Sequence, residues 1–452
     1  MSWKTSLNAL WQKYYDLICV TLFGVFIHLF PFLNSGRDPL GYDGGFYRRY
    51  VIDHIFFWQN VPGLGTEAVV PKITFDFLKL LHLPTSVILY GSYIALYCGI
   101  TIALYVLVKH WSNTKTAFFA AILFTISSVQ YFGYWCMLYK NGYAFLLLII
   151  TALLIDKKSN WMYLGVVLLS LTHQTTSIIF LLSLGIYFLI QKENRRQTFL
   201  MLTLGGSLFF LLQAPNIVSH IATFPVASFL SWKQYLLFGL PIILLAFFGL
   251  RDFLKKMHGS FYLAFGIVVL LYPLFHLPFF QRILLYTDLA LIVVASYGIV
   301  YLFENKFRIW NIEQPELGKI LAISLLAFAS IFLVHKMVTL FPIVTENEII
   351  QLEQIDSLVS KESYVLTKMS LAPWVEGFSH THVISPGLLH DNHNNEQWNQ
   401  FWNETDVNKK IIFLNSFPKP LYMFLPVNDQ YLFVPSTCAR PLSEYLLEYT
   451  CN

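Results

Sequence analysis

Residues 34–58 read NSGRDPLGYDGGFYRRYVIDHIFFW, and the side chains able to do chemistry crowd into a dozen of these positions. Asp38 and Asp43 are carboxylates, Gly44 and Gly45 loosen the backbone beside them, and Arg48 and Arg49 follow within two turns. A carboxylate here could take the proton of an acceptor hydroxyl. It could equally hold a divalent cation, Mg or Mn, against a phosphate. The arginines could grip a phosphate bidentately. The competing reading is a solvated loop whose carboxylates pair with Arg37, Arg48 and Arg49. Asp43 precedes a helix expected to begin near Phe46, so it either caps that helix or faces a pocket beside it.

Other candidates are scattered through the chain. Arg282 opens a long apolar run, with Tyr286 one turn on, and a cation there suits a bilayer-embedded phosphate or plain snorkelling to headgroups. His173, in His173-Gln174-Thr175-Thr176, and Lys140, in Tyr139-Lys140-Asn141, punctuate apolar sequence and could meet a sugar or a phosphate. Asp288 lies within an apolar run, where an acid is costly and suspect. Trp374 and Glu376 could form an acceptor wall. The histidines 380, 382, 390 and 393 with Asp391 fit no standard zinc spacing and read as a polar loop.

The elements that must position these residues are membrane helices. Of 452 residues, 56% are hydrophobic and 12% charged, and the mean hydropathy is +0.56. That excludes an ordinary soluble enzyme, and a net charge of +4 gives no reason to expect nucleic acid. Apolar runs predict about eleven transmembrane helices. With Met1 cytoplasmic, the inner connections carry the larger share of Lys and Arg, which puts the N-terminus inside and the C-terminus outside. Residues 160–190 are too long for one span, and a hairpin of two short helices with its tip at His173 preserves that charge bias. The first outer loop, 34–84, holds two amphipathic helices suited to the membrane surface, the second with Lys72, Asp76 and Lys79 as a polar stripe.

Composition changes after residue 341. Residues 1–341 form the transmembrane domain, and 342–452 are expected to be a small extracytoplasmic α/β domain. It should have a helix at 346–360 and strands at 363–367, 410–415 and 431–434. Cys438 and Cys451 either bridge, closing a short loop, or remain two free thiols.

The stretch Tyr42-Asp43-Gly44-Gly45-Phe46-Tyr47-Arg48-Arg49 resembles the first outer loop of the GT-C membrane glycosyltransferases, above all the D-P-x-F-N-Y-R element of oligosaccharyltransferase catalytic subunits. Asp43, Phe46 and Arg49 match; the Pro and Asn do not. The resemblance implies an essential acid in this loop and a sugar donor carried on a polyprenyl phosphate or diphosphate. It also implies a phosphate-binding cation in a late outer loop. The outer part lacks W-W-D-Y-G, which argues against peptide N-glycosylation.

The expectation is therefore an all-α polytopic GT-C-like protein of the plasma membrane with a small C-terminal α/β domain. It would be an inverting glycosyltransferase passing a sugar to a glycan, lipid or protein acceptor on the outer face. Asp43, with Asp38 in reserve, is the catalytic acid. Arg282, Arg49, Arg48, His173, Lys140, Tyr286, Trp374 and Glu376 bind donor or acceptor. No cofactor is implied outright; a divalent cation, Mg or Mn, held by Asp43 is the alternative to its role as a base. The alternatives are a transporter or flippase of lipid-linked sugars, and a surface-polysaccharide polymerase or ligase.

Overall fold

A computed structural model describes residues 3–34, 41–53, 55–59, 68–214, 230–257, 260–277, 280–304, 307–309, 312–386, 393–426, 429 and 436–451. The apolar runs fold as helices because lipid leaves the backbone no partner but itself. They are α1 (Trp3–Asn34), α4 (Ser92–Trp111, entered through a π-turn at Val87–Gly91), α5 (Thr114–Ile126) and α6 (Ser128–Trp135). Then come α7 (Tyr139–Asp156), α8 (Met162–Ser170), α9 (Gln174–Ile190), α10 (Arg195–Leu208), α11 (Trp232–Met257), α12 (Phe261–Leu274), α13 (Phe280–Glu304) and α14 (Pro315–Thr339). Among the described residues, six helices are long and apolar enough to cross a membrane; α5 and α6, bent by 52° at Ser127, make a seventh if counted as one span. The eleven expected stretches all contain helix, but α9 and α12 are short and α8 has only nine residues. The hairpin expected at 160–190 is present as α8 and α9, broken at residues 171–173.

Helix α13 is the axis of the bundle: 89% of its apolar window is buried, against 28% for α1 and for α14. It crosses α11 at very short range. A Cβ on Gly298 would lie 1.9 Å from the Leu245 carbonyl oxygen, and one on Gly249 would lie 2.1 Å from that of Val294. Small residues at such crossings let two backbones touch, which is how helices associate where lipid removes the hydrophobic drive.

Between α1 and α4 lie α2 (Gly44–Ile52) and α3 (Val69–Leu80). The polar stripe of α3 faces inward rather than outward. Lys72 and Asp76 are buried, while Ile73, Phe77 and Leu80 are exposed. Asp76 accepts hydrogen bonds from the Tyr50 hydroxyl (2.6 Å) and the Phe57 amide (3.0 Å), and Lys79 sits 2.8 Å from the same carboxylate. These bonds tie α3 to α2, and the apolar side is left for lipid.

The C-terminal part holds a five-stranded mixed sheet. Its strands follow the hairpin β1–β2 (Phe307–Ile309, Ile312–Gln314) and are β3 (Tyr364–Thr367), β4 (His382–Ile384), β5 (Leu421–Phe424), β6 (Ala439–Pro441) and β7 (Leu446–Tyr449), in the order β4-β3-β5-β7-β6. The β3 pairings are parallel and those of β7 antiparallel. Helix α15 (Glu346–Leu358) begins with a capping box of Thr345 and Glu348. Helices α16 (Ala372–Phe378), α17 (Asn395–Asn403) and α18 (Val407–Leu414) complete it. Residues 407–414 are thus helix where a strand at 410–415 was expected. The Ile411–Leu414 run is apolar but short, and periodicity alone does not separate a buried strand from a helix there. The Asp406 side chain, accepting from the Asn408 amide, starts the helix. The strand expected at 431–434 lies outside the described residues. Cys438 and Cys451 are joined in a disulfide.

Candidate functional site

Asp43 is held by its neighbours against a turn between α6 and α7. Gly41 has φ +75°, and a Cβ there would lie 2.5 Å from the Cys136 carbonyl carbon, so only glycine fits. The Tyr42 amide donates to the Cys136 carbonyl (3.1 Å), and a Cβ on Gly44 would touch Met137 Sδ at 3.1 Å. Met137 itself has φ +54°, a conformation that strains a long side chain and clusters at functional sites. Asp43 therefore lies beside the turn 136–138, and Lys140 follows that turn in the first coil of α7.

Asp43 occupies the N-cap position of α2, yet its side chain makes no capping hydrogen bond. It keeps partial solvent access while deep within the protein. Burial raises its carboxyl above the ordinary carboxylate range, and the positive charges of Lys140 and Arg282 pull the other way. These two cations come from α7 and α13, and both also act on His173.

Next to Lys140 and Arg282 in sequence lies a hydrogen-bonded group on three helices. The His173 ring bonds Thr176 Oγ1 (2.8 Å) and lies 3.3 Å from the Tyr286 hydroxyl. Thr176 also bonds that hydroxyl, and Asn141 Nδ2 reaches it at 3.5 Å. Phe145 packs edge-on against the Tyr286 ring, 4.6 Å between centroids. Helices α7, α9 and α13 are thus locked where Lys140 and Arg282 emerge. Arg282, exposed, is one turn before Tyr286 on α13.

Arg48, Arg49, Trp374 and Glu376 gather at a different place, the joint between α2 and α16. Arg49 Nη1 donates to Glu376 Oε1 (2.6 Å) and to the Ser379 carbonyl (3.1 Å), while its Nε reaches Asp53 (3.3 Å). Arg48 donates to the Gly377 carbonyl (2.9 Å) and lies 3.4 Å above the Phe378 ring. The Trp374 indole N–H donates to the Gly41 carbonyl (3.0 Å). The backbones meet directly: a Cβ on Gly45 would lie 2.0 Å from the Pro373 carbonyl oxygen, and one on Gly377 would lie 2.4 Å from that of Gly45. The Glu376 side chain is 2% exposed, and burial pushes its carboxyl up to about 7 against the pull of Arg49. His380 continues the joint, between Asp356 and, at 3.2 Å, Asp53.

Asp38, Arg37, His390 and Asp391 lie outside the described residues. Asp288 is bonded by Ser127 Oγ (2.8 Å) and Gln130 Nε2 (3.0 Å) at the α5–α6 break, away from Arg282's side of the helix. Sequence reading passed over Ser127 and Gln130, although a glutamine within an apolar run was the available signal. It also passed over the turn at Met137, for which no local pattern exists.

No family model matches the chain, and no curated protein matches its sequence. Solved structures do match. The Archaeoglobus fulgidus oligosaccharyltransferase tethered to an acceptor peptide containing the NVT sequon aligns at TM-score 0.64 and 11% identity, over 93% of this chain and 70% of that one. Its apo form aligns at 0.65 and 11%, over 92% and 70%. A third structure, described as its complex with Zn and sulfate, aligns at 0.59 and 10%, over 92% and 69%. Among the described residues, which leave out Asp38, the donor set around Asp43 does not by itself make a site for a divalent cation such as that one. A carboxylate flanked by two cations is the reverse of the oxygen-rich, anionic cage such ions need, and among the described residues no three His, Cys, Asp or Glu converge. Over nine-tenths of its length, the chain has the fold of the Archaeoglobus fulgidus oligosaccharyltransferase.

Proposed function

We propose that the chain is an inverting membrane glycosyltransferase of the GT-C type, using a polyprenyl-phosphate-linked sugar on the outer face of the membrane. What supports this is that Asp43 sits beside the turn leading into Lys140 and feels the charges of both Lys140 and Arg282, in a chain with the fold of an oligosaccharyltransferase. Asp43 is the catalytic residue, and burial, by raising its carboxyl, makes it a stronger base than a solvated aspartate. The acceptor hydroxyl gives its proton to Asp43, and its oxygen bonds the anomeric carbon. The bond from that carbon to the phosphate oxygen breaks, and the electron pair stays on the phosphate. One displacement inverts the anomeric centre. The leaving phosphate gains a negative charge, which Arg282 and Lys140 stabilise. His173 and Tyr286 brace the helices that carry these cations. Arg48, Arg49, Trp374 and Glu376, expected at the substrate, act in this reading by fixing the loop that carries Asp43.

The remaining parts of the proposal follow from charge and composition. The helices make eleven crossings, the N-terminus is cytoplasmic, and residues 342–452 form an extracytoplasmic domain above the 1–341 bundle in the plasma membrane. The acceptor is a glycan, lipid or protein. Binding of a fluorescent polyprenyl phosphate to purified protein tests the donor side. Arg282→Ala weakens it about tenfold or more, and Arg282→Lys restores it poorly because an ammonium cannot grip two oxygens at once. Unchanged binding in Arg282→Ala returns that residue to a headgroup anchor.

A further inference from the structure

The break between α5 and α6 gathers polar atoms deep in the bundle that sugar transfer does not use. Asp288, Gln130 and Tyr235 are each 2% exposed or less. Each carries a side-chain oxygen with no hydrogen-bond partner among the described residues: Asp288 Oδ1, Gln130 Oε1 and the Tyr235 hydroxyl. Buried oxygens left in that state are costly, and more so inside lipid. We infer that these three oxygens form a site for one sodium ion, which ties the break to α11 and α13.

The orientation of the set follows from its bonds. Ser127 Oγ and Gln130 Nε2 both donate to Asp288 Oδ2, at 2.8 and 3.0 Å. Gln130 Nε2 also donates to the Leu285 carbonyl, at 2.8 Å. Two acceptors thus fix the nitrogen end of the amide, and its oxygen is turned away from them. Ser127 Oγ is committed as well, since it accepts from the Gln130 amide at the start of α6 (3.2 Å). Asp288 Oδ1 and Gln130 Oε1 therefore remain on two side chains already joined to each other. Helix α11 closes the place. Ser128 Oγ donates to the Phe238 carbonyl (3.4 Å), one turn from Tyr235, and Tyr235 feels the Asp288 charge. Ser127 is extended, with φ −64° and ψ 116°, so α5 ends there and its last carbonyls have no helical amide to bond. The negative end of a broken helix beside an acid is a setting in which membrane bundles hold Na⁺.

Charge selects the ion. A carboxylate inside a bundle in lipid needs a counter-charge. Among the described residues no cationic side chain is bonded to Asp288. The charged residues of α5, α11 and α13 other than Asp288 lie toward helix ends, and α6 and α12 have none. On α14, Lys336 and His335 lie against the Phe238 ring, at 4.1 and 6.4 Å. One carboxylate with neutral oxygens balances a single positive charge. A divalent ion would leave a net charge in the bundle, and it asks for more anionic oxygens. A proton on Asp288 would serve Oδ1 and Oε1 and leave the Tyr235 hydroxyl unserved; a sodium ion takes all three. The consequence reaches Asp43. Helix α6 runs from the break to Trp135, and the next residue, Cys136, accepts the Tyr42 amide. The ion thus holds one end of the element on whose other end the Asp43 loop rests.

The test uses purified full-length protein in detergent, with Na⁺ alone as the probe and choline at equal ionic strength as the reference. Sodium should raise the apparent melting temperature saturably, bind at about one radiolabelled ion per chain, and slow hydrogen exchange around the break. The rise should be larger at about pH 8 than at about pH 6, because protons compete for Asp288. Asp288→Asn removes the charge at nearly constant shape and abolishes both binding and the rise. Should that variant not survive purification, Tyr235→Phe, which removes a hydroxyl alone, weakens Na⁺ binding by about tenfold. Equal melting in sodium and choline with no bound Na⁺ overturns the inference and assigns a proton to Asp288. Sodium binding that persists in Asp288→Asn, or unaltered affinity in Tyr235→Phe, places the ion elsewhere and overturns it too.

Discussion

Replacing Gly45 with alanine probes the joint that fixes the Asp43 loop. The new Cβ would lie 2.0 Å from the Pro373 carbonyl oxygen, 2.3 Å from its carbon and 2.6 Å from the Trp374 amide nitrogen. All three are backbone atoms, so no side chain can swing aside. Ordinary contact begins at 3.4 Å, which leaves α2 and α16 about 1.4 Å too close. Separation by that much lengthens the bonds that cross the joint: Trp374 to Gly41, Arg48 to Gly377, and Arg49 to Glu376 and Ser379. Overpacking alone costs about 1–3 kcal/mol. If the buried Arg49–Glu376 pair parts, the cost rises toward about 3–5 kcal/mol. Relief of the glycine entropy penalty returns only about 0.5–1 kcal/mol. Gly45→Ala therefore lowers the apparent melting temperature and speeds hydrogen exchange in 41–52 and 372–380. Gly206→Ala is the control, since a Cβ at Gly206 on α10 meets nothing within 4 Å. If the two variants melt and exchange alike, the α2–α16 joint is not as close as described.

Glu376 makes the same joint pH-dependent. Its carboxyl is raised to about 7 from 4.5, so the folded protein keeps a proton that the unfolded chain has released over that window. The stability it contributes is full below pH 4.5 and is lost as pH rises through 7. Apparent melting temperatures measured from pH 4.5 to 8 fall in the wild type, with a slope of up to about 1.4 kcal/mol per pH unit, and Glu376→Gln flattens that fall. An equal fall in the variant would assign the effect elsewhere. Reduction of the Cys438–Cys451 bridge costs about 3 kcal/mol in the chain-entropy model, read as greater protease sensitivity of the C-terminal part; no change on reduction refutes a stabilising role.

What sequence alone could reveal depended on whether the signal was local. Charges beside glycines at the end of an apolar run are a local anomaly, and they marked the loop that carries Asp43. The α8–α9 break was legible because a polar tip interrupts an apolar stretch too long for one span. The Cys438–Cys451 bridge needed only spacing and a shared polar segment. Partnerships across the chain were not legible. Arg49 and Glu376 are separated by 327 positions, and nothing near either of them names the other. Arg48 and Arg49 therefore looked like phosphate ligands, since an arginine beside a glycine loop presents the same pattern in both roles. The Lys72–Asp76–Lys79 stripe was legible as one face of an amphipathic helix, but its partner on α2 was not. In water a polar stripe faces out, but beside lipid the exposed side is apolar and the polar side turns toward α2. The 410–415 segment misled because four apolar residues carry no period.

Asp43→Asn tests the central claim most directly. The Asp43 side chain makes no capping bond, so asparagine costs the helix little, and folding and expression survive. An amide cannot take a proton from an acceptor hydroxyl. Transfer of labelled sugar from polyprenyl phosphate to membrane acceptors, compared between wild type and Asp43→Asn at matched donor occupancy, should fall by about 10²-fold or more. Near-normal transfer by a well-folded Asp43→Asn protein would contradict the account.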